Sequence, residues 1–106
     1  MNQVLTQYGR CDVVINNAGI TRDRLANRMK LADFLAPIQV NLVGTFNVIQ
    51  AVLPTFYHQR QGVILNMSSV VGLVGNIGQA NYAASKAGVI GLTKTIAREA
   101  ARRQVR

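Results

Sequence analysis

Two short apolar runs constrain this chain more than any other feature: Asp12-Val13-Val14-Ile15-Asn16 and Val63-Ile64-Leu65-Asn66-Met67. Neither alternates polar with apolar residues, a pattern that predicts strands buried on both faces, as in a parallel sheet. From Asp33 to Tyr57 the apolar residues Leu42, Phe46, Ile49, Val52, Leu53 and Phe56 recur at helical spacing. A helix between two parallel strands is a β-α-β unit, whose crossover is expected to be right-handed. Residues 2–8 read as the end of an earlier helix, with Val4, Leu5 and Tyr8 on one face and Gly9 as its stop. A last helix is predicted from about Ala80 to Arg102, after a glycine-rich loop from Gly72 to Gly78. Its small residues Ala83, Ala84, Ala87, Gly88 and Gly91 would let another helix approach closely. Pro37 and Pro54 predict a kink or split of the middle helix near each, and no clear N-cap marks its start.

Helix, strand, helix, strand, helix is an α/β order, but two parallel strands leave two open edges and little cover. The span is therefore expected to be the central part of a larger doubly wound sheet, residues 1–106 forming a single partial domain. At 49% hydrophobic in 106 residues, the chain is too apolar for a disordered one. Its one cysteine excludes an internal disulfide framework, and with one histidine it leaves no zinc-finger spacing, so no metal is expected. The net charge of +8 gathers in Arg22/Arg24/Arg28/Lys30 and Arg98/Arg102/Arg103/Arg106. No aromatic residues interleave with either cluster, which argues against nucleic acid. Phe34–Gln59 and Gln61–Ser85 carry no formal charge, but Asn, Gln and Gly or Pro interrupt both, so no membrane span is expected. No signal peptide opens the sequence, and a cytoplasmic location is expected.

Ligands of open parallel sheets bind at the carboxyl ends of the strands. Both strands here end in small polar sequence: Asn16-Asn17-Ala18-Gly19 after the first, Ser68-Ser69 after the second. Gly19 permits close backbone approach to a ligand. Tyr82 and Lys86, four apart on the last helix, share a face. A phenol ordinarily holds its proton to a pH of about 10, and a nearby ammonium favours the phenolate. Ser69, thirteen residues before Tyr82, stands at a strand end facing the start of that helix. It could hydrogen-bond a carbonyl oxygen for protonation by the tyrosine, or simply cap a turn. Asn41 is polar in an apolar helix and near Pro37, and is either exposed or marks a local break holding a water. His58 reads as a surface residue.

Asn16-Asn17-Ala18-Gly19, Asn41, Ser69 and Tyr82-Ala83-Ala84-Ser85-Lys86 resemble, in order and spacing, the motifs of the classical short-chain dehydrogenases/reductases. Ile20-Thr21-Arg22-Asp23 and Gly75-Asn76-Ile77-Gly78-Gln79-Ala80-Asn81-Tyr82 look most like the bacterial 3-oxoacyl-acyl-carrier-protein reductases among them. Acetoacetyl-CoA reductases are close relatives. The resemblance implies a Rossmann-like sheet, of which this chain is the central β-α-β portion with flanking helices. It also implies an oxidoreductase using NADPH, or NADH, on a 3-oxoacyl thioester linked to acyl carrier protein or coenzyme A. The implied catalytic tetrad is Asn41, Ser69, Tyr82 and Lys86. Tyr82 would give its proton to the substrate oxygen that Ser69 polarises. Lys86 would lower the tyrosine's pKa and bind the nicotinamide ribose, and Asn41 would hold a water through its backbone. Asn17, Ala18 and Gly19 would line the cofactor cleft.

The chain lacks the family's glycine-rich dinucleotide turn and its later strand, so this span alone is expected to be inactive; a non-catalytic fragment is the alternative. Relatives are commonly tetramers joined through the two long helices. Acyl carrier proteins are acidic, and Arg60 and Arg103 are candidates for a docking patch, with Arg22 nearer the pocket mouth.

Overall fold

The computed structural model describes residues 2–106. The chain runs α1 (Asn2–Tyr8), β1 (Val13–Asn16), a 3-10 turn at Ala26–Arg28, α2 (Leu31–Pro37), a π-helical segment Ile38–Val43, and α3 (Gly44–Gln59). It continues with β2 (Val63–Asn66), α4 (Val71–Val74), α5 (Ala80–Ala100) and a final 3-10 turn at Ala101–Arg103. β1 and β2 pair in parallel, Val13 opposite Val63 and Asn16 opposite Asn66. The expected β-α-β unit is therefore present.

The inner face of the sheet carries Val14 and Ile64. They pack on a cluster of Cys11, Val52, Phe56, Ala100 and Val105, joined by Leu5, Leu53 and Tyr57. α3 and the end of α5 thus cover the same side. Gly62 brings β2 against α3 so closely that a Cβ there would lie 2.3 Å from the Phe56 ring. Only glycine fits that approach. At the chain's end Val105 bridges Gly62 in parallel, beside the far edge of β2.

Within the described residues the strands are covered on one face only. Val13, Ile15 and Leu65 are 52%, 59% and 48% exposed. Both helices that follow the strands lie on the Val14–Ile64 side, and no described residue covers the other. The result is a slab 17 Å thick with a radius of gyration of 15.6 Å, against about 13 Å for a closed domain of this length.

The two prolines behave differently. Pro37 closes α2, and the next six residues form π-helix before α3 begins. Pro54 lies within α3, which is not split there and runs from Gly44 to Gln59. Gln50, whose carbonyl loses its partner at Pro54, is exposed, so water can satisfy it. The middle helix also starts earlier than expected, at Leu31, with no side-chain cap. The loop expected over Gly72–Gly78 begins as helix. Gly72 lies in α4, where a Cβ would lie 2.8 Å from the backbone of Lys86 and Ala87. This contact seats α4 against α5. Close approach along α5 is realised at Gly88, where a Cβ would meet Leu42 at 2.7 Å, whereas Gly91 faces open space.

Leu31–Gln59 is long and apolar enough to cross a membrane by length and composition alone. Its buried residues Asn41, Thr45, Ile49, Val52 and Phe56 instead form the inward stripe of this fold.

Candidate active site

At the carboxyl ends of the strands the buried residues are polar: Asn41, Thr45, Asn81, Ser85 and Lys86. Such groups are costly to bury without hydrogen-bond partners, and here each has at least one. Among the described residues no buried side-chain nitrogen or oxygen lacks a partner.

Asn41 sits in the π-helical segment, where the widened turn aims its side chain across to the loop after β1. Its Oδ1 accepts from the Ile20 N–H at 2.9 Å, and its Nδ2 donates to the Ile20 carbonyl and to Ser85 Oγ, each at 3.1 Å. Both amide hydrogens are thereby used. Of the two readings left open for Asn41, exposure is excluded and a local break is present. The carbonyl of Asn41 accepts from Thr45 Oγ1 at 2.7 Å.

Lys86 is buried on α5 with its ammonium 5.7 Å from the centre of the Tyr82 ring. Nζ donates to the Met67 carbonyl at 3.1 Å, just past the end of β2. Ser68 Oγ donates to the Lys86 carbonyl, also at 3.1 Å, so the loop leaving β2 grips this residue twice. Gly19 lies alongside: a Cβ there would sit 3.4 Å from Asn41 Oδ1 and 3.6 Å from Lys86 Nζ. The structure thus gathers Gly19, Asn41, Lys86 and the Tyr82 ring in one place. A Cβ at position 19 would make ordinary contacts, and a longer side chain would extend into the space beside the ammonium.

Ser69 stands in the loop before α4, where its Oγ accepts from the Val71 N–H at 3.2 Å. The turn-capping reading is therefore real. It does not exhaust the hydroxyl, because accepting leaves the O–H free to donate. Asn17 and Ala18 line an open cleft of about 330 Å³ with Ile15, Val40, Gly44 and Val48 on the free edge of β1. A larger cavity of about 680 Å³ lies elsewhere, lined by Arg60, Gln61, Gln104 and Arg106. Neither cavity is lined by a tetrad residue. His58 is exposed, as expected.

Asn81 and Ser85 carried no expected role, yet both are fully buried. Ser85 Oγ donates to the Tyr82 carbonyl at 2.8 Å, and the Tyr82 N–H donates to Asn81 Oδ1 at 2.7 Å. The signal was present in the spacing. Asn81, Ser85 and Val89 recur every fourth residue, so two polar residues occupy the inward stripe of α5.

The whole chain, residues 1–106, matches the family model described as short chain dehydrogenase. It is 60% identical over 106 residues to the 3-oxoacyl-[acyl-carrier-protein] reductase FabG of Thermotoga maritima, covering 100% of this chain and 43% of that protein. It is 56% identical over 105 residues to the protein of the same name from Staphylococcus aureus, covering 99% and 43%. A 3-oxoacyl-[acyl-carrier-protein] reductase of Synechocystis is 54% identical over 101 residues, covering 95% and 41%. The chain therefore spans about 43% of the length of the first two relatives. A match running from the first residue to the last, together with a parallel β-α-β unit whose strand ends converge on Tyr82 and Lys86, places this chain in the short-chain dehydrogenase family.

Proposed function

We propose that this chain is the central part of a cytoplasmic reductase that converts a 3-oxoacyl thioester to its 3-hydroxyacyl form with NADPH. The observation that carries the reading is the gathering of Gly19, Lys86 and Tyr82 at the strand ends, in a sequence 54–60% identical to the reductases named above.

The cleft suits a nicotinamide nucleotide. Asn17 and Ala18 line it, Gly19 leaves room beside the ammonium, and Lys86 Nζ makes one protein hydrogen bond of the three it can donate. A bound reduced nicotinamide supplies hydride to the C3 carbon of the substrate. Tyr82 donates its phenolic proton to the C3 oxygen, so that the carbonyl becomes an alcohol. Ser69 donates its free O–H to the same oxygen and fixes its position. Lys86 binds ribose hydroxyls and places a positive charge beside the oxygen that Tyr82 leaves negative. The Asn41 carbonyl, which also accepts from Thr45 Oγ1, would hold a water of the proton relay.

The substrate is carried by acyl carrier protein, an acidic partner, and the basic rim is its docking surface. Arg60 caps α3 in a left-handed conformation at φ 55°, and Arg103 stacks over the Tyr57 ring at 5.2 Å. Both lie at the amino ends of the strands and Arg22 at the other end, so the docked carrier would extend along the molecule. The exposed Phe46 of α3 suits a helix-mediated oligomer, a tetramer in the full-length protein.

The test is NADPH oxidation by this chain extended to the length of its relatives, with acetoacetyl thioesters of acyl carrier protein and of coenzyme A. Oxidation that favours the carrier-linked substrate is expected. Turnover of the coenzyme A thioester alone would assign an acetoacetyl-CoA reductase instead. No oxidation with either would overturn the reading.

A further inference from the structure

Tyr82 is held by its own peptide on both sides, and both holds lead back to one loop. Its N–H donates to Asn81 Oδ1 and its carbonyl accepts from Ser85 Oγ. Ser85 passes through Asn41 to the backbone of Ile20. Asn81 Nδ2 spends its two hydrogens on the Arg22 carbonyl at 2.7 Å and the Asp33 carbonyl at 2.8 Å. The loop after β1 is therefore tied to the tyrosine at Ile20 and again at Arg22. The same loop docks on the turn before α5, where the Arg24 N–H donates to the Gly78 carbonyl at 2.9 Å.

Asn81 joins three segments directly: the loop after β1, α2 and the first turn of α5. It is fully buried, and its three hydrogen bonds use both amide hydrogens and the amide oxygen. No other residue type of the same shape has two donors and an acceptor.

We infer that Asn81 is a positioning residue that sets where the Tyr82 hydroxyl stands relative to the nucleotide-side loop. This rests on the reductase reading above. In Asn81→Asp the side chain keeps its shape, loses both donors and turns a carboxylate toward two carbonyl oxygens. Tyr82 then shifts against the loop, and proton transfer to the substrate oxygen becomes slower than hydride transfer.

The experiment uses the full-length chain and normalises rates to nucleotide-binding sites. Asn81→Asp should lower kcat by about tenfold or more and raise the solvent deuterium isotope effect on kcat. Affinity for NADPH should stay within about threefold of the parent. A structural role alone lowers the number of folded sites and leaves the isotope effect per site unchanged. Thr93→Val is the stability control, since it removes hydrogen bonds to Asn66 and Val89 further along α5. If Asn81→Asp does not fold, Asn81→Ser, which keeps one donor and one acceptor, should move both quantities the same way by less. An isotope effect equal to that of the parent and of Thr93→Val, in whichever variant folds, overturns the role. Wild-type chain without reductase activity overturns the reductase reading itself, whereas turnover that survives Tyr82→Phe removes Tyr82 as the acid and with it the role of Asn81.

Discussion

The two ends of the sheet are built on opposite principles. At the amino ends of the strands the buried residues are Cys11, Val52, Phe56, Ala100 and Val105, with arginines outside. At the carboxyl ends they are Asn41, Thr45, Asn81, Ser85 and Lys86. Apolar burial stabilises without regard to direction, whereas each buried polar group demands a partner at a set distance and angle. The first end therefore holds the fold together, and the second holds a geometry. Substitutions should separate stability from activity according to the end they touch.

The sharpest break is Tyr82→Phe, which removes one oxygen from the polar end. Turnover of the full-length chain should fall by about a thousandfold or more, while NADPH binding and thermal stability stay close to those of the parent. Near-normal turnover in steady-state assays would remove Tyr82 as the acid and with it the contrast. Phe56→Ala is the counterpart at the apolar end. Emptying a fully buried ring site should cost about 3–5 kcal/mol in chemical denaturation, with kcat per folded site unchanged.

Gly62→Ala sharpens the same point more mildly. Its Cβ would overlap the Phe56 ring at 2.3 Å, so denaturation should show a loss of about 1–3 kcal/mol. Reversing the charge of Arg60 and Arg103 tests the rim of the apolar end. KM for a carrier-linked substrate should rise several-fold, less so at high salt, with no change for a small thioester. Equal changes for both substrates would detach the carrier from this surface.

The smallest effect is expected at Arg10, whose side chain pairs with Asp12 in the open. The hydrogen bond from Arg10 to Asp12, and then their charge attraction, raise the guanidinium pKa. A raised cationic pKa stabilises fully below the ordinary arginine range, and the gain is lost only as pH climbs through the raised value. Asp12→Asn should therefore leave the melting temperature near that of the parent, with no added pH dependence around neutrality.

Much of this was legible in the sequence, and the misses share a cause. The runs at Val13 and Val63 predicted parallel strands because an unalternating apolar run has few other uses beside a helical crossover. Gly9 was read correctly as a helix stop and takes φ +76°. Pro37 marked a real break, while Pro54 does not split its helix, and the hydrogen bond it removes is that of an exposed residue, Gln50. That depends on which side faces water, and proline chemistry alone does not say. Tyr82 and Lys86 were found by their spacing, and their proximity follows from one helical turn. Asn81 was passed over because its partners, Arg22 and Asp33, lie 59 and 48 residues away.

By itself the sequence determined the elements, their parallel order and the family, since these rest on local periodicity and on motifs at fixed spacing. Only the tertiary structure decided which face of the sheet α3 and α5 cover, how tightly α4 sits on Lys86, and that two buried side chains bind Tyr82 to the loop after β1. Those outcomes are set by contacts between distant residues, where a few tenths of an ångström separate a hydrogen bond from a clash, and no local pattern encodes such distances.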